Sequence, residues 1–229
     1  MFISKRMKVL IEKREIVFEN LNEILNYIKL DNGVKFNESI DVAIKLGINP
    51  TKSDENVRGN FDLIYGITKN PKIIAFVLPE EEAEVRKIGV ETIGLLDLVE
   101  EIKKNDKIGS YDYAFASTKA FPSIVSIAKI LGKNGLMPNK KDGTLSDNIS
   151  DAILKCKSGK RCIFRNDDAG CVNFSIGKKT MSIEELKANL QEAIEYIKSL
   201  KPTKVKQMIK RIFISSTMGL SAEIPLRFI

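Results

Sequence analysis

Near the end of the chain, Ser215, Ser216 and Thr217 stand in a row, followed by Met218 and Gly219. Small hydroxyls can bond sugar 2′-hydroxyls and phosphate oxygens, and a glycine lets backbone come close to a ligand. A thioether adds a flexible apolar surface that packs on a base or ribose. Upstream lie Lys198, Lys201, Lys204, Lys206, Lys210 and Arg211, with no acid among them before Glu223. Each lysine set beside a phosphate releases counterions, so the stripe suits salt-dependent binding of RNA or DNA. The plain alternative is a solvated helix end and linker. The hydroxyl-bearing strand end beside the stripe favours the nucleic-acid reading.

Other chemistries find little support. The chain has no histidine, the usual base of a nucleophilic triad. Cys156, Cys162 and Cys171 match no zinc spacing and read as reduced, mostly buried small residues. "GKKT" at 177–180 resembles the end of a phosphate-binding loop, but the preceding glycine, Gly170, is too far upstream and the residues between read as strand. "GKNG" at 132–135 has the GxxG form that clamps nucleic-acid backbone, yet a helix end followed by a turn explains it as well. Glu80, Glu81 and Glu82 read as helix-start charges and not as metal ligands. No cofactor and no metal are expected, and the chain is not expected to be an enzyme.

The totals agree with a globular protein that meets an anionic partner. Of 229 residues 43% are hydrophobic, and 37 Lys and Arg against 30 Asp and Glu leave a formal charge of +7. No apolar run is long enough to span a membrane, and the start reads as neither a secretory signal nor a mitochondrial transit peptide.

The elements that must position these residues have two textures. Apolar spacing over 5–29 predicts one interrupted helix or two, broken near Asn20. "ESIDVAIKLGI" predicts a half-buried strand with Ile40, Val42, Ile44 and Leu46 on one face. Residues 49–60 read as a loop. From 73 onward "IIAFVL" and "YDYAFAST" read as strands, the first covered on both faces, and helices are expected over 79–89, 95–104, 121–132 and 146–159, the last capped by Ser146. Strands over 160–166 and 171–177 are expected to form a hairpin across "DDAG". Ser182 and Glu185 spell a capping box ahead of a long amphipathic helix. These textures predict an α/β fold in two domains. A discontinuous α+β domain takes 1–66 and 160–229 from both chain ends, and an inserted α/β domain takes 67–159, with hinges near Gly66 and Gly159.

Four segments carry a resemblance that runs almost end to end: "FNESIDVAIKLGINPTKSDENVRGN" (36–60), "KILGKNGLMPNKKDGTLSD" (129–147), "FRNDDAGCVNFSIGK" (164–178) and "SSTMG" (215–219). In order and spacing the chain resembles the ribosomal protein L1 family of the bacterial and organellar type. That resemblance implies a first domain built from both chain ends and a Rossmann-like inserted one. It implies a protein that binds large-subunit rRNA, forms the mobile L1 stalk and accompanies exit-site tRNA. Its own mRNA is a further implied partner, through translational repression. It also implies a location on the large ribosomal subunit in a bacterial cytoplasm or a mitochondrial matrix, and a monomer when free. The RNA-binding residues carried over are Phe36, Ser39, Thr217, Met218 and Gly219. Charge and position add Lys35 and Arg165. The chain departs from the family where Leu220 replaces the usual proline, which leaves the path after Gly219 open, and at Lys140 and Asp142.

Overall fold

The protein is described from a computed structural model covering residues 18–30, 33–52, 54–67, 71–105, 108, 111–203 and 205–228. Most of the expected helix over 5–29 therefore lies outside the described residues. In chain order the elements are α1 (Leu21–Ile28), β1 (Ser39–Leu46), β2 (Arg58–Asp62), β3 (Ile73–Phe76), α2 (Pro79–Lys87), β4 (Thr92–Gly94) and α3 (Leu96–Asn105). They continue with β5 (Tyr113–Ser117), α4 (Phe121–Ile124), a 3₁₀ turn (Val125–Ile127), α5 (Ala128–Lys133), β6 (Leu145–Ser146) and α6 (Ile149–Lys157). Last come β7 (Arg161–Arg165), β8 (Cys171–Lys178), α7 (Ile183–Ser199), β9 (Ile209–Ser216), β10 (Ser221–Ile224) and a 3₁₀ turn (Leu226–Phe228). The fold is mixed α/β. No helix among the described residues is long and apolar enough to cross a membrane.

Two compact units emerge, Met1–Val57 with Leu63–Ile67 and Phe164–Ile229, and Arg58–Asp62 with Thr68–Ile163. The first contains an antiparallel sheet in the order β10-β9-β1-β8. Along β1 burial alternates, so Ile40, Val42, Ile44 and Leu46 face the core and Ser39, Asp41, Ala43 and Lys45 face outward. The inward face packs on two helices. From α1 come Leu21, Ile24, Leu25 and Ile28, at spacings that place them on one side. From α7 come Leu186, Leu190, Ala193, Ile194 and Ile197. The capping box that starts α7 is formed: Glu185 N–H donates to Ser182 Oγ at 3.2 Å, and Ser182 N–H donates to Glu185 Oε2 at 2.8 Å. Asn189, fully buried on the same helix, donates from Nδ2 to the carbonyls of Ile176 and Tyr65, each at 2.9 Å, and accepts Tyr65 N–H at 2.9 Å.

The second unit contains a parallel sheet in the order β4-β3-β5-β6. All four residues of β3 are buried, because two alternations are superimposed. Ile73 and Ala75, with Phe115 of β5, pack against Val85 of α2 and Ile149 and Ile153 of α6. Ile74 and Phe76, with Ala114 and Ala116, pack against Val99 and Ile102 of α3 and against Ile124, Ile127 and Leu131. Burial holds the Cys156 and Cys162 thiols up at about 12, so both stay protonated near neutral pH. All three cysteines are free.

Several local expectations are corrected. The loop expected over 49–60 ends early, since β2 begins at Arg58 and turns Gly59 and Phe61 inward. The segment 160–177 is not a hairpin: β7 pairs with β2 and β8 with β1. "DDAG" does close a turn, with Asp167 N–H donating to Cys171 C=O at 2.8 Å and Gly170 at φ +73°. What chooses the partner is the apolar row of β8, which sets Val172 and Phe174 opposite Ile44 and Val42. The helix expected over 121–132 is broken by the 3₁₀ turn, where Ser126 Oγ donates to Ser123 C=O at 3.0 Å and competes with the helical ladder. Ser146 belongs to β6, not to the cap of α6; its Oγ accepts Asn148 N–H at 3.1 Å, and α6 starts three residues later than expected. After Gly219 the chain turns back: Leu220 is buried and β10 pairs antiparallel with β9.

Candidate nucleic-acid interface

The final residues of β9 and the segment leading into β1 meet at one end of the first unit's sheet. The last ladder pair there is Ile40 opposite Ser216. Beyond it, Thr217 extends the pairing with both backbone and side chain. Its N–H donates to Ser39 C=O at 3.1 Å, its Oγ1 accepts Ser39 N–H at 3.0 Å, and the same hydroxyl donates to Ser39 C=O at 3.3 Å. Gly219 N–H then donates to Ser216 C=O at 3.2 Å and closes a tight turn. Thr217 and Met218 occupy the corner of that turn.

The turn is held from beneath by a carboxylate. Glu38 is 0% exposed, and its Oε1 accepts Met218 N–H at 2.8 Å. Its Oε2 takes the Lys179 ammonium at 2.9 Å, while Lys179 N–H donates to Glu38 C=O at 2.9 Å. Lys179 Nζ also donates to Leu30 C=O at 2.7 Å. A buried carboxylate is tolerated here because charge and hydrogen bonds both compensate it. Next to it, Lys178 Nζ donates to Ser39 Oγ at 2.8 Å.

Above this bracing two apolar side chains remain in solvent: Phe36 is 54% exposed and Met218 50%. Phe36 stands two residues before Glu38, the residue that binds the Met218 backbone, and Lys35 beside it is exposed. The structure thus gathers Ser39, Thr217, Met218 and Gly219 in one corner and brings Lys35 and Phe36 to it along the chain. It does not bring Arg165 there. Arg165 is exposed at the end of β7, next to the turn that leads into Cys171, and Cys171 pairs with Lys45 at the opposite end of β1.

The basic stripe is also displaced. β9 runs from Ile209 to Ser216, so Lys198, Lys201, Lys206 and Lys210 lie at the end where that strand begins and the hydroxyl corner at the end where it finishes. The expectation that they adjoin is corrected, and Lys204 lies outside the described residues. Conversely, sequence reasoning missed Glu38, Lys178 and Lys179. One signal was available: a glutamate just before an alternating strand, where a buried charge demands a partner, and two lysines of "GKKT" stood unassigned.

Among the described residues no group of three or more His, Cys, Asp or Glu could hold a metal ion. The corner commits its charged groups to bracing: Glu38 to Met218 N–H and the Lys179 ammonium, and Lys178 Nζ to Ser39 Oγ. It offers hydroxyls, a braced turn and two exposed apolar side chains, the make-up of a protein that binds a partner by shape. The comparisons with known proteins carry this further. The Ribosomal protein L1p/L10e family matches residues 17–220, and the chain belongs to that family. It is 37% identical over 205 residues to the Large ribosomal subunit protein uL1 of Actinobacillus succinogenes, covering 89% of this chain and 88% of that one. It is 40% identical over 220 residues to the protein of the same name from Buchnera aphidicola subsp. Acyrthosiphon pisum, covering 94% and 93%. As a member of a ribosomal protein family, the chain is not an enzyme.

Proposed function

We propose that the chain is a structural constituent of the large ribosomal subunit and that it holds folded rRNA at the Glu38-braced corner. The observation that carries this reading is the pairing of a rigid backbone with exposed apolar side chains. Phe36 and Met218 pack on ribose or base, the hydroxyls of Ser39 and Thr217 face the sugar edge, and Gly219 lets the RNA backbone approach. Because Glu38 and Lys179 fix the turn beforehand, little ordering remains to be done on binding. Lys35 adds a phosphate contact. Arg165 serves the same partner class away from this corner.

The family membership and the names of the relatives support the large-subunit role. In this reading residues 1–66 and 160–229 form the RNA-binding domain and 67–159 an inserted domain, and the whole belongs to the mobile stalk that accompanies exit-site tRNA in a bacterial ribosome. The test is direct binding. The purified chain binds a fragment of stalk rRNA with an affinity that falls steeply as salt rises. Equal affinity for an unrelated RNA duplex sinks the proposal.

A further inference from the structure

The displaced lysines have no role in the corner, yet they are not scattered. Lys198, in the last turn of α7, and Lys201 and Lys206, in the loop that follows, line one concavity of about 350 Å³. Met208, Ile209, Ile212 and Leu226 form its apolar floor, and among the described residues no acid lines it. Met208, Ile209 and Ile212 are buried, whereas Leu226 is largely exposed. The helix dipole accounts for a lysine in the last turn of α7, but not for Lys206, which lies beyond the helix. Lys201 Nζ donates to Lys206 C=O at 2.8 Å and fixes the loop, whereas Lys198 and Lys206 have no hydrogen-bond or ion-pair partner for their ammonium groups among the described residues.

The loop is pinned on its other side as well. Gly47 N–H donates to Met208 C=O at 2.8 Å. A Cβ at Gly47 would stand 2.1 Å from Gln207 O, so the approach requires glycine. The concavity is therefore formed before any ligand arrives.

We propose that this foot of the first unit's sheet is a second seat for a polynucleotide, one that takes a single unstacked nucleotide of a strand. It goes beyond the corner described above and does not depend on it. Ammonium groups without a counter-charge among the described residues attract the phosphodiester, and the recessed apolar floor accepts the base or ribose. A bilayer would ask instead for apolar side chains that stand out from the surface. β9 separates the two seats by roughly 23 Å at about 3.3 Å per residue, so one strand segment can touch the foot while a folded element occupies the corner.

The test uses the full chain carrying Lys198→Gln and Lys206→Gln together, read by fluorescence anisotropy with a labelled single-stranded RNA oligonucleotide across a salt series. The plot of log affinity against log salt becomes shallower by about 1.4, since each phosphate of a single strand that is no longer neutralised removes about 0.7. The paired Lys→Arg variant keeps the parent's slope, and the Gln variant binds the rRNA fragment within about twofold of the parent in high salt. Met218→Ala leaves the oligonucleotide slope alone. An unchanged slope in the Gln variant overturns the proposal, as does an equal loss in the Arg variant. It is also overturned if the parent binds mixed phosphatidylserine and phosphatidylcholine vesicles but not the oligonucleotide. Failure of the parent to bind the rRNA fragment removes the corner's function and leaves the oligonucleotide result to stand or fall separately.

Discussion

Each unit has a four-stranded sheet, and the two are built differently. In the parallel sheet β3 is buried on both faces, and its alternate residues feed two separate cores. In the antiparallel sheet one face of β1 is buried, and the other, half-buried, carries Ser39, Asp41, Ala43 and Lys45. Buried polar groups occur in both: Ser117 and Thr144 in the second unit, and in the first Glu38 and Asn189, each fully buried and each satisfied by partners on other segments. A sheet covered on both faces has its composition fixed by packing. A sheet with an open face and an open end keeps positions where hydroxyls, charges and exposed apolar side chains can be held for a partner.

Four changes test that contrast. The largest effect is expected at Phe115, fully buried in the parallel sheet: Phe115→Ala costs about 4 kcal/mol of stability by urea unfolding and leaves rRNA affinity per folded molecule unchanged. A fall in affinity matching the loss of stability would break the division of labour. Next comes Glu38→Ala, which takes the carboxylate away from the Lys179 ammonium and the Met218 N–H. It costs about 3 kcal/mol, toward the low end for a broken buried pair because Lys179 keeps some solvent, and it weakens rRNA binding as well. Met218→Ala is expected to cost about 1–2 kcal/mol in rRNA binding but to move stability by no more than about 0.5 kcal/mol, so titration and unfolding should disagree. The smallest effect lies at the edge strand β10. There the hydrogen bonds from Arg211 hold the Glu223 carboxyl below its ordinary value of 4.5. A depressed carboxyl contributes stability above the unfolded value and loses it as pH falls through the folded one. Arg211→Ala therefore flattens slightly the acid side of the stability curve below about pH 4.5, an exposed pair being worth little. An unchanged curve would remove the pair from the account.

What could be read in advance follows from how local the signal is. The alternation of β1, the apolar runs of β3 and β5 and the Ser182 capping box are written within a few consecutive residues, and each formed as expected. Pairing is not local. "DDAG" closes its turn, yet β8 leaves for β1 because a buried apolar row lies there and not on β7. The corner was legible through Phe36, Ser39 and the Thr217–Gly219 triplet, owing to the resemblance. The misplaced lysines show the limit: proximity in sequence to a strand end says nothing of which end, until the direction of β9 is known. Glu38 went unseen because its function lies in two hydrogen-bond partners roughly 140 and 180 positions later.

Asn189 shows how little separates a seam from a tear. Its amide nitrogen faces two carbonyls while its oxygen faces the N–H of Tyr65. Exchanging that nitrogen for oxygen, as Asn189→Asp does, changes the side chain's size hardly at all and points like poles at each other. The strip around Tyr65 would then come unstitched from α7, so this position demands one orientation of a dipole, and any substitute must bring both a donor and an acceptor on the same short arm.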